Sequence, residues 1–328
     1  RVKSVELVDL LPAKYVENGS VDYTKYIQSA LNQYRNVIFP DFPLLINEKG
    51  LSILSNSTLI FTKNSKLIMK ANSARNYEII RIHNVNNVHI YYPTIVGDRY
   101  VHTSIEGEWG MGIAIRGSNN VNIINPTISS CWGDGIYIGK LNNMPSTDVH
   151  IYNAHVDQNR RNGISITNGE RIYLYNPLIS NTNGTLPMAG IDIEPNNSND
   201  IINTILVKDP ITFNNAQAGI MIGLSKMPSN KNRNVNMKIS NHLDDSSRVG
   251  FFLGGYKRME SLALKGKIEI SNPQWKNNRN SLKMGINFEY GPDIVISNMV
   301  IISKTEYQRA PNVKSRVKLK TSKIKIID

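Results

Sequence analysis

Seven times between residues 112 and 290 the chain returns to a glycine followed by alternating apolar residues. These segments read GIAIRG from Gly112, GIYIGK from Gly135, GISITN from Gly163, GIDIEP from Gly190, GIMIGL from Gly219, GFFLGG from Gly250 and GINFEY from Gly285. Successive glycines stand 23, 28, 27, 29, 31 and 35 residues apart, a period typical of stacked repeats rather than of a single folded layer. A glycine-free member, IIRIHN from Ile79, aligns with GIAIRG because the residues that follow both segments also match.

About ten residues after each glycine a second ladder ends in a polar corner: Asn125, Asn153, Asn176, Asp209, Asn241, Asn272 and Asn298. Asparagine suits a tight bend because it tolerates left-handed backbone and hydrogen-bonds locally, and identical amides can stack in ladders. The two ladders interleave in strict order. Short Ile- and Val-rich strands punctuated by Gly, Asn and Pro predict a solenoid in which each coil buries one face with its neighbours. A leucine-rich horseshoe would need a helix or LxxLxL in each repeat, and a propeller about four strands pairing within each repeat. Neither pattern occurs, and two or three strands per coil fit a parallel β-helix.

The first fifty residues differ. DYTKYIQSALNQY places Ile27, Ala30, Leu31 and Tyr34 at helical spacing, with Asp22 or Thr24 available as N-cap. A helix there is expected to lid the open end of the solenoid, where strand edges and core would otherwise be exposed. The expected organisation is a cap and entry over 1–50, coils over 51–303, and a basic last strand or tail over 304–328. That last segment carries eight Lys or Arg against Glu306 and Asp328, a large share of the chain's net +12 (38 basic, 26 acidic). Lysines alternating with apolar residues on a terminal strand also discourage edge pairing. No nucleic-acid motif accompanies this charge, so no nucleic-acid partner is expected. No apolar run reaches the eighteen residues of a membrane helix, and the opening segment lacks the apolar core of a secretory signal. Cys131 is the single cysteine, which rules out an internal disulfide, and its apolar neighbours predict a small core residue.

The entry DYTKYIQSALNQYRNVIFP, followed by GEWGMGIAI, CWGDGIYIG, NRRNGISI and NTNGTLPMAGIDIEPN, resembles the pectate lyase and polygalacturonase superfamily of right-handed β-helices. That superfamily includes phage tailspike depolymerases and bacterial exopolysaccharide-processing proteins. The resemblance implies an all-β fold, a single-stranded right-handed parallel β-helix with an N-terminal capping α-helix, and carbohydrate chemistry. It also implies an extracellular, cell-surface or virion-associated protein, homotrimeric if a phage tail component and otherwise monomeric. The NTD, GHG and RIK signatures of polygalacturonases and the DPH motif of alginate epimerases are missing; GIDIEP only echoes the last, with Asp192 at its Asp and Glu194 at its His.

With the two isoleucines of each GIxI strand facing the core, alternation sends the third and fifth positions outward. The outward set then includes Arg81, His83, Arg116, Tyr137, Asp192, Glu194, Asn287 and Glu289, on a solvent-facing platform roughly 35 Å long over eight coils. Asp192 and Glu194 are the expected catalytic pair, with Glu194 as general acid and Asp192 as base or nucleophile. Asp134, at the entry of its own strand, is an alternative catalytic partner. Arg160 and Arg161 are expected beside these carboxylates, where opposite charge pushes pKa values apart. Arg116 and Tyr137 are expected to bind substrate, joined by Glu108 and Trp109 from the long segment 96–112, which reads as a groove wall.

Glycoside hydrolysis of an acidic polysaccharide, needing two carboxylates and no cofactor, fits this set best. A uronate lyase or C5-epimerase is the runner-up, drawing on Arg161, Arg116, Tyr137 and Lys140, with the acids then holding Ca2+. A non-catalytic glycan-binding fibre is the third reading. No metal site is expected under the first.

Overall fold

The computed structural model describes residues 4–257, 262–302, 307–309 and 323–327; of 307–309 only the backbone is described. Among these residues the strands form three sheets of 12, 9 and 11 members, and each coil contributes one strand to each sheet in turn. Strand pairing between successive coils is parallel except for the final Val300–Ile302 with Tyr307–Arg309, and one isolated antiparallel bridge joins Ser229 to Leu262. The GIxI strands build the nine-stranded sheet, the segments leading into the Asn corners build the twelve-stranded sheet, and the short strands after each corner build the third.

Register is exact along the axis. Ile80, Ile113, Ile136, Ile164, Ile191, Ile220 and Phe251 pair in turn and are all 0% exposed. Each buried side chain of this size contributes about 1.5–3 kcal/mol from leaving water, and stacking like on like gives every coil the same share.

The repeated glycine has a specific cause, and it is close approach rather than unusual backbone. A Cβ on Gly112, Gly135, Gly163, Gly190 or Gly219 would lie 2.5–2.8 Å from the carbonyl oxygen of the next glycine in the column, and one on Gly250 would lie 2.7 Å from that of Ser281. From Gly112 to Gly250 no side chain fits between coils at this point, whereas the two ends of the column carry Ile79 and Ser281. The Asn corners are equally particular. All seven adopt φ between 51° and 57°. Their side chains form amide ladders, from Asn125 through Asn153 to Asn176 and from Asp209 through Asn241 and Asn272 to Asn298, with bonds of 2.6–3.0 Å.

One α-helix, Thr24–Gln33, lies among the described residues, with Ile27, Ala30 and Leu31 buried against the core. The N-cap is Tyr23 rather than Asp22 or Thr24 and makes no side-chain capping bond; Asp22, one residue further out, accepts the Thr24 backbone N–H at 3.0 Å. Tyr34 lies just past the helix end and is exposed, outside the apolar face the spacing assigned it. The Gln28 side chain meets the edge of the nine-stranded sheet, donating to Ser52 O (3.0 Å) and accepting from Ser52 N (2.7 Å). No helix of the described residues is long and apolar enough to cross a membrane. Cys131 is a free, buried core residue.

The last coil departs from the expected register. Asn280–Met284 pairs with Val249–Leu253, so Leu282 sits on Phe251, Lys283 on Phe252, and Ser281 takes the glycine position. GINFEY lies beyond the ladder, with Asn287 at φ 61° leading into the 3-10 turn Phe288–Tyr290. Asn287 and Glu289 are therefore not platform residues. Ile324–Ile327 closes the twelve-stranded sheet beside Asp293–Ser297; the remainder of the basic segment, 304–306, 310–322 and 328, lies outside the described residues.

Gly163→Ala is expected to destabilise the protein by roughly 1–3 kcal/mol, as overpacking does, because its Cβ would lie 2.2 Å from Ile179 Cγ2 and 2.5 Å from Gly190 O. Gly223→Ala, whose Cβ would come no nearer than 3.5 Å to any neighbour, is the control. Urea unfolding of both variants checks the column, and equal midpoints would discard it.

Candidate active site

The outward positions of the nine-stranded sheet carry the chemistry. Tyr137, Ser165, Asp192 and Met221 stack in register on successive coils. Glu194 follows the end of strand Ala189–Ile193 and keeps its pairing through a 3.1 Å bond from its N–H to Ile166 O. Asp192, Glu194, Arg161, Arg116, Tyr137 and Trp109 line one cavity of about 340 Å3, which Thr167, Asn196 and Lys226 complete.

This pocket is not the open platform that alternation predicts. Asp192 points away from the isoleucine core as expected, yet it is only 3% exposed, and Ser165 beside it is 0% exposed. Strand alternation fixes the side a residue leaves from; neighbouring side chains decide whether water reaches it. Chief among these is Asn162, directly before Gly163. Its Nδ2 donates to Asp192 Oδ2 (3.1 Å) and to Ser165 Oγ (3.0 Å), its backbone N–H donates to Asp134 Oδ1 (3.1 Å), and its Oδ1 accepts from Ala189 N (3.0 Å). The same residue thus ties two carboxylates together.

Asp134 is fully buried and meets Arg161 Nη1 at 3.0 and 3.1 Å from its two oxygens. Burial pushes the Asp134 carboxyl up and the Arg161 charge opposes it. For Arg161, burial works against the charge, but Asp134 and Asp192 outweigh it and hold the guanidinium protonated. Asp192 is different. Burial and then the Glu194 charge push it up to about 8 against the opposing pull of Arg161. Its Oδ1 is buried without a hydrogen-bond partner. Glu194 is half-buried, 3.4 Å from Lys226 Nζ.

The Tyr137 hydroxyl lies 2.8 Å from Thr167 Oγ1, and the Arg116 guanidinium rests 4.0 Å above the Tyr137 ring. Trp109, the first residue of strand Trp109–Arg116, is 47% exposed, so its ring remains available to a ligand. Glu108 stands at the rim, 3.9 Å from Arg161 Nε.

Arg160, expected beside the carboxylates, is elsewhere. Its guanidinium stacks 3.6 Å from the Trp132 ring centroid and donates to Gly107 O at 2.9 Å, pinning the wall segment. Adjacent residues project in opposed directions here, so only Arg161 reaches the pocket. Lys140 is also diverted, paired with Asp200 at 2.7 Å. Among the described residues no three His, Cys, Asp or Glu gather as a metal site. Thr167 lies on the outward face that alternation assigns it, whereas the sequence does not single out Asn162, Asn196 or Lys226. Asn162 left one signal, a polar residue directly before a column glycine, where Asp134 also stands.

The family model described as "right handed beta helix region" matches residues 44–206. The chain is a right-handed parallel β-helix. Among curated proteins the β-helix is 28% identical over 266 residues to the uncharacterized protein YclG of Bacillus subtilis, covering 71% of this chain and 45% of that protein. It therefore spans less than half of that relative's length. Among solved structures it superposes on a tailspike protein of E. coli bacteriophage HK620, in complex with a hexasaccharide, with TM-score 0.67 and 10% identity over 92% of this chain and 57% of that one. The A-module of the mannuronan C-5 epimerase AlgE4 of Azotobacter vinelandii gives TM-score 0.64 at 13% identity, covering 92% and 88%. At these identities the likeness is one of fold.

The raised pKa of Asp192 has a sign that can be checked. Between about pH 4 and pH 8 the unfolded chain would ionise this carboxyl while the folded chain keeps its proton, so the group's contribution to stability falls as pH rises through that window. Asp192→Asn, which still accepts from Asn162, is expected to stabilise the protein by on the order of 1 kcal/mol or more near pH 8 and by little near pH 4. Thermal midpoints of both proteins at the two pH values test this; a gain independent of pH would contradict it. Arg161→Met, which strands Asp134 as an unpaired buried carboxyl, is expected to destabilise by about 3–5 kcal/mol.

Proposed function

We propose that this β-helix is a polysaccharide-cleaving glycoside hydrolase in which Asp192 donates the proton and Glu194 is the second carboxylate. The observation that carries the reading is the pairing of a buried carboxyl that keeps its proton near neutrality with a half-exposed carboxylate two residues along, in one pocket. This reverses the roles drawn from sequence, because burial falls on Asp192 rather than on Glu194. Two carboxyls whose environments separate their protonation states are what acid-assisted glycoside cleavage requires.

The steps follow from the groups present. A glycan laid along the sheet offers a sugar face to the Trp109 ring and hydroxyls to Thr167 and Asn196. Asp192 protonates the departing glycosidic oxygen. Glu194, 3.4 Å from Lys226 Nζ, either attacks the anomeric carbon or activates water, and in both cases it balances positive charge developing on the sugar ring. The α-carbons of two residues at i and i+2 on a strand are roughly 6.7 Å apart, which accommodates either geometry. Arg161 and Asp134 act behind this pair by setting the charge around Asp192. The tailspike and epimerase that share the fold carry names tied to polysaccharides, which supports the substrate class and leaves the reaction to the pocket. Display outside the cell or on a virion accords with a polymeric substrate.

A second reading rests on Lys226, Arg161 and Arg116 at the same pocket. These cations suit a uronate carboxylate, and proton abstraction from that sugar would give elimination or epimerisation.

Product analysis separates the readings: hydrolysis gives new reducing ends without unsaturated sugar, elimination gives both, and epimerisation leaves chain length unchanged. Asp192→Asn and Glu194→Gln are each expected to lower kcat by about 10²-fold or more with little change in the affinity for polymer. The wild-type rate is expected to fall as pH rises through about 8, where Asp192 loses its proton. Full activity in Asp192→Asn would end the assignment.

A further inference from the structure

The pocket around Asp192 is the end of a longer groove. A second cavity of about 530 Å3 shares Trp109 and Arg116 with it, and a third of about 620 Å3 shares Lys49 and Arg81 with the second and ends against the Lys25 and Gln28 face of the capping helix. All three lie over the outward face of the nine-stranded sheet.

The charges along this extension are unequally matched. Glu78 is occupied: Arg116 Nε lies at 2.8 Å and His83 Nε2 at 2.8 Å. Burial pushes Glu78 up, but these two partners win and hold it below the usual carboxylate range. Asp22 is bound to Thr24 and Asn47. Glu48 lines the same cavity, but neither it nor any other carboxylate among the described residues forms an ion pair with Arg81 or Lys49. Arg81 is nevertheless fixed, its Nε donating to Ser52 Oγ at 3.1 Å, which leaves its terminal nitrogens for a ligand. Gly50 (φ 59°) keeps the space beside them clear: a Cβ there would lie 3.1 Å from Arg81 Nη1 and 1.9 Å from Glu78 O.

We infer that Arg81 and Lys49 form a carboxylate subsite for a uronate unit of an acidic polysaccharide that runs along the solenoid axis. A planar guanidinium with both terminal nitrogens free matches a carboxylate bidentately, and the neighbouring ammonium adds charge without competing for the same plane. Arg81 and Asp192 are four strands apart in the sheet, roughly 19 Å, so the ligand is a chain of several sugars whose charged unit is held well away from the reacting bond. The inference takes its polymer axis from the proposed active site, but the subsite is tested by binding alone.

The experiment uses the full chain carrying Asp192→Asn, which is expected to bind without cleaving. Its Kd is measured by calorimetry for oligomers of alginate, polygalacturonate and hyaluronan and for their carboxyl-reduced forms, with and without Lys49→Gln and Arg81→Gln. At least one uronate oligomer is expected to bind more tightly than its reduced form, and the double substitution is expected to weaken it about tenfold or more and flatten its salt dependence. The reduced form should be indifferent to the substitution. Thermal midpoints confirm folding, and Lys49→Gln alone, at an exposed position, is expected to give a smaller loss of the same kind. An unchanged Kd in the folded double variant, or no preference for any uronate oligomer over its reduced form, overturns the subsite. Cleavage that survives Asp192→Asn would overturn the hydrolase reading instead and leave the binding comparison intact.

Discussion

Axial stacking of backbone on backbone is the constraint from which the rest follows. Each strand satisfies its hydrogen bonds only with the coils above and below, so the spacing between coils is set by the ladder and not by side chains. Where the chain turns into the nine-stranded sheet, that spacing leaves no room for a Cβ at the six central coils, and a glycine column from Gly112 to Gly250 results. Where it turns out of the twelve-stranded sheet, the backbone goes left-handed and the side chain must bond to its equivalent one coil away, and an asparagine column results. Similar positions are occupied by similar residues because each is solving the same local problem.

That logic explains what could be read from sequence alone. The glycine and asparagine columns and the inward isoleucines are each imposed by contacts between equivalent positions, so they print a period. The last coil shows the limit: Asn280–Met284 supplies the strand with Ser281 at the crowded point, while the better sequence match, GINFEY, forms a 3-10 turn. Pattern identified the kind of coil but not its final register. The pocket is legible in most of its members, Asn196 and Lys226 excepted, and not in its burial. Asp192 and Glu194 were placed on the correct side of the strand by alternation, whereas the exclusion of water from Asp192 depends on Asn162, Ser165 and Arg161 arriving from a different coil. The split between Arg160 and Arg161 is likewise invisible in a dipeptide, since it depends on Trp132 lying on one side and Asp134 on the other.

The pocket also sits where the fold is under opposition. A carboxyl with one oxygen unpartnered in a buried site is a local loss of stability, tolerated because two rows of packed isoleucines run directly beneath it. A rigid solenoid suits this arrangement: the groups around Asp192 are carried on strands whose neighbours fix them in every direction, so little has to move when a ligand enters.

At the helix end of the nine-stranded sheet, the Gln28 carboxamide presents one donor and one acceptor to Ser52, as another peptide unit would. A single side chain there impersonates the coil that is not present, and the sheet edge is no longer an adhesive template. Growth of the sheet at this end would therefore require the glutamine to be evicted from its place.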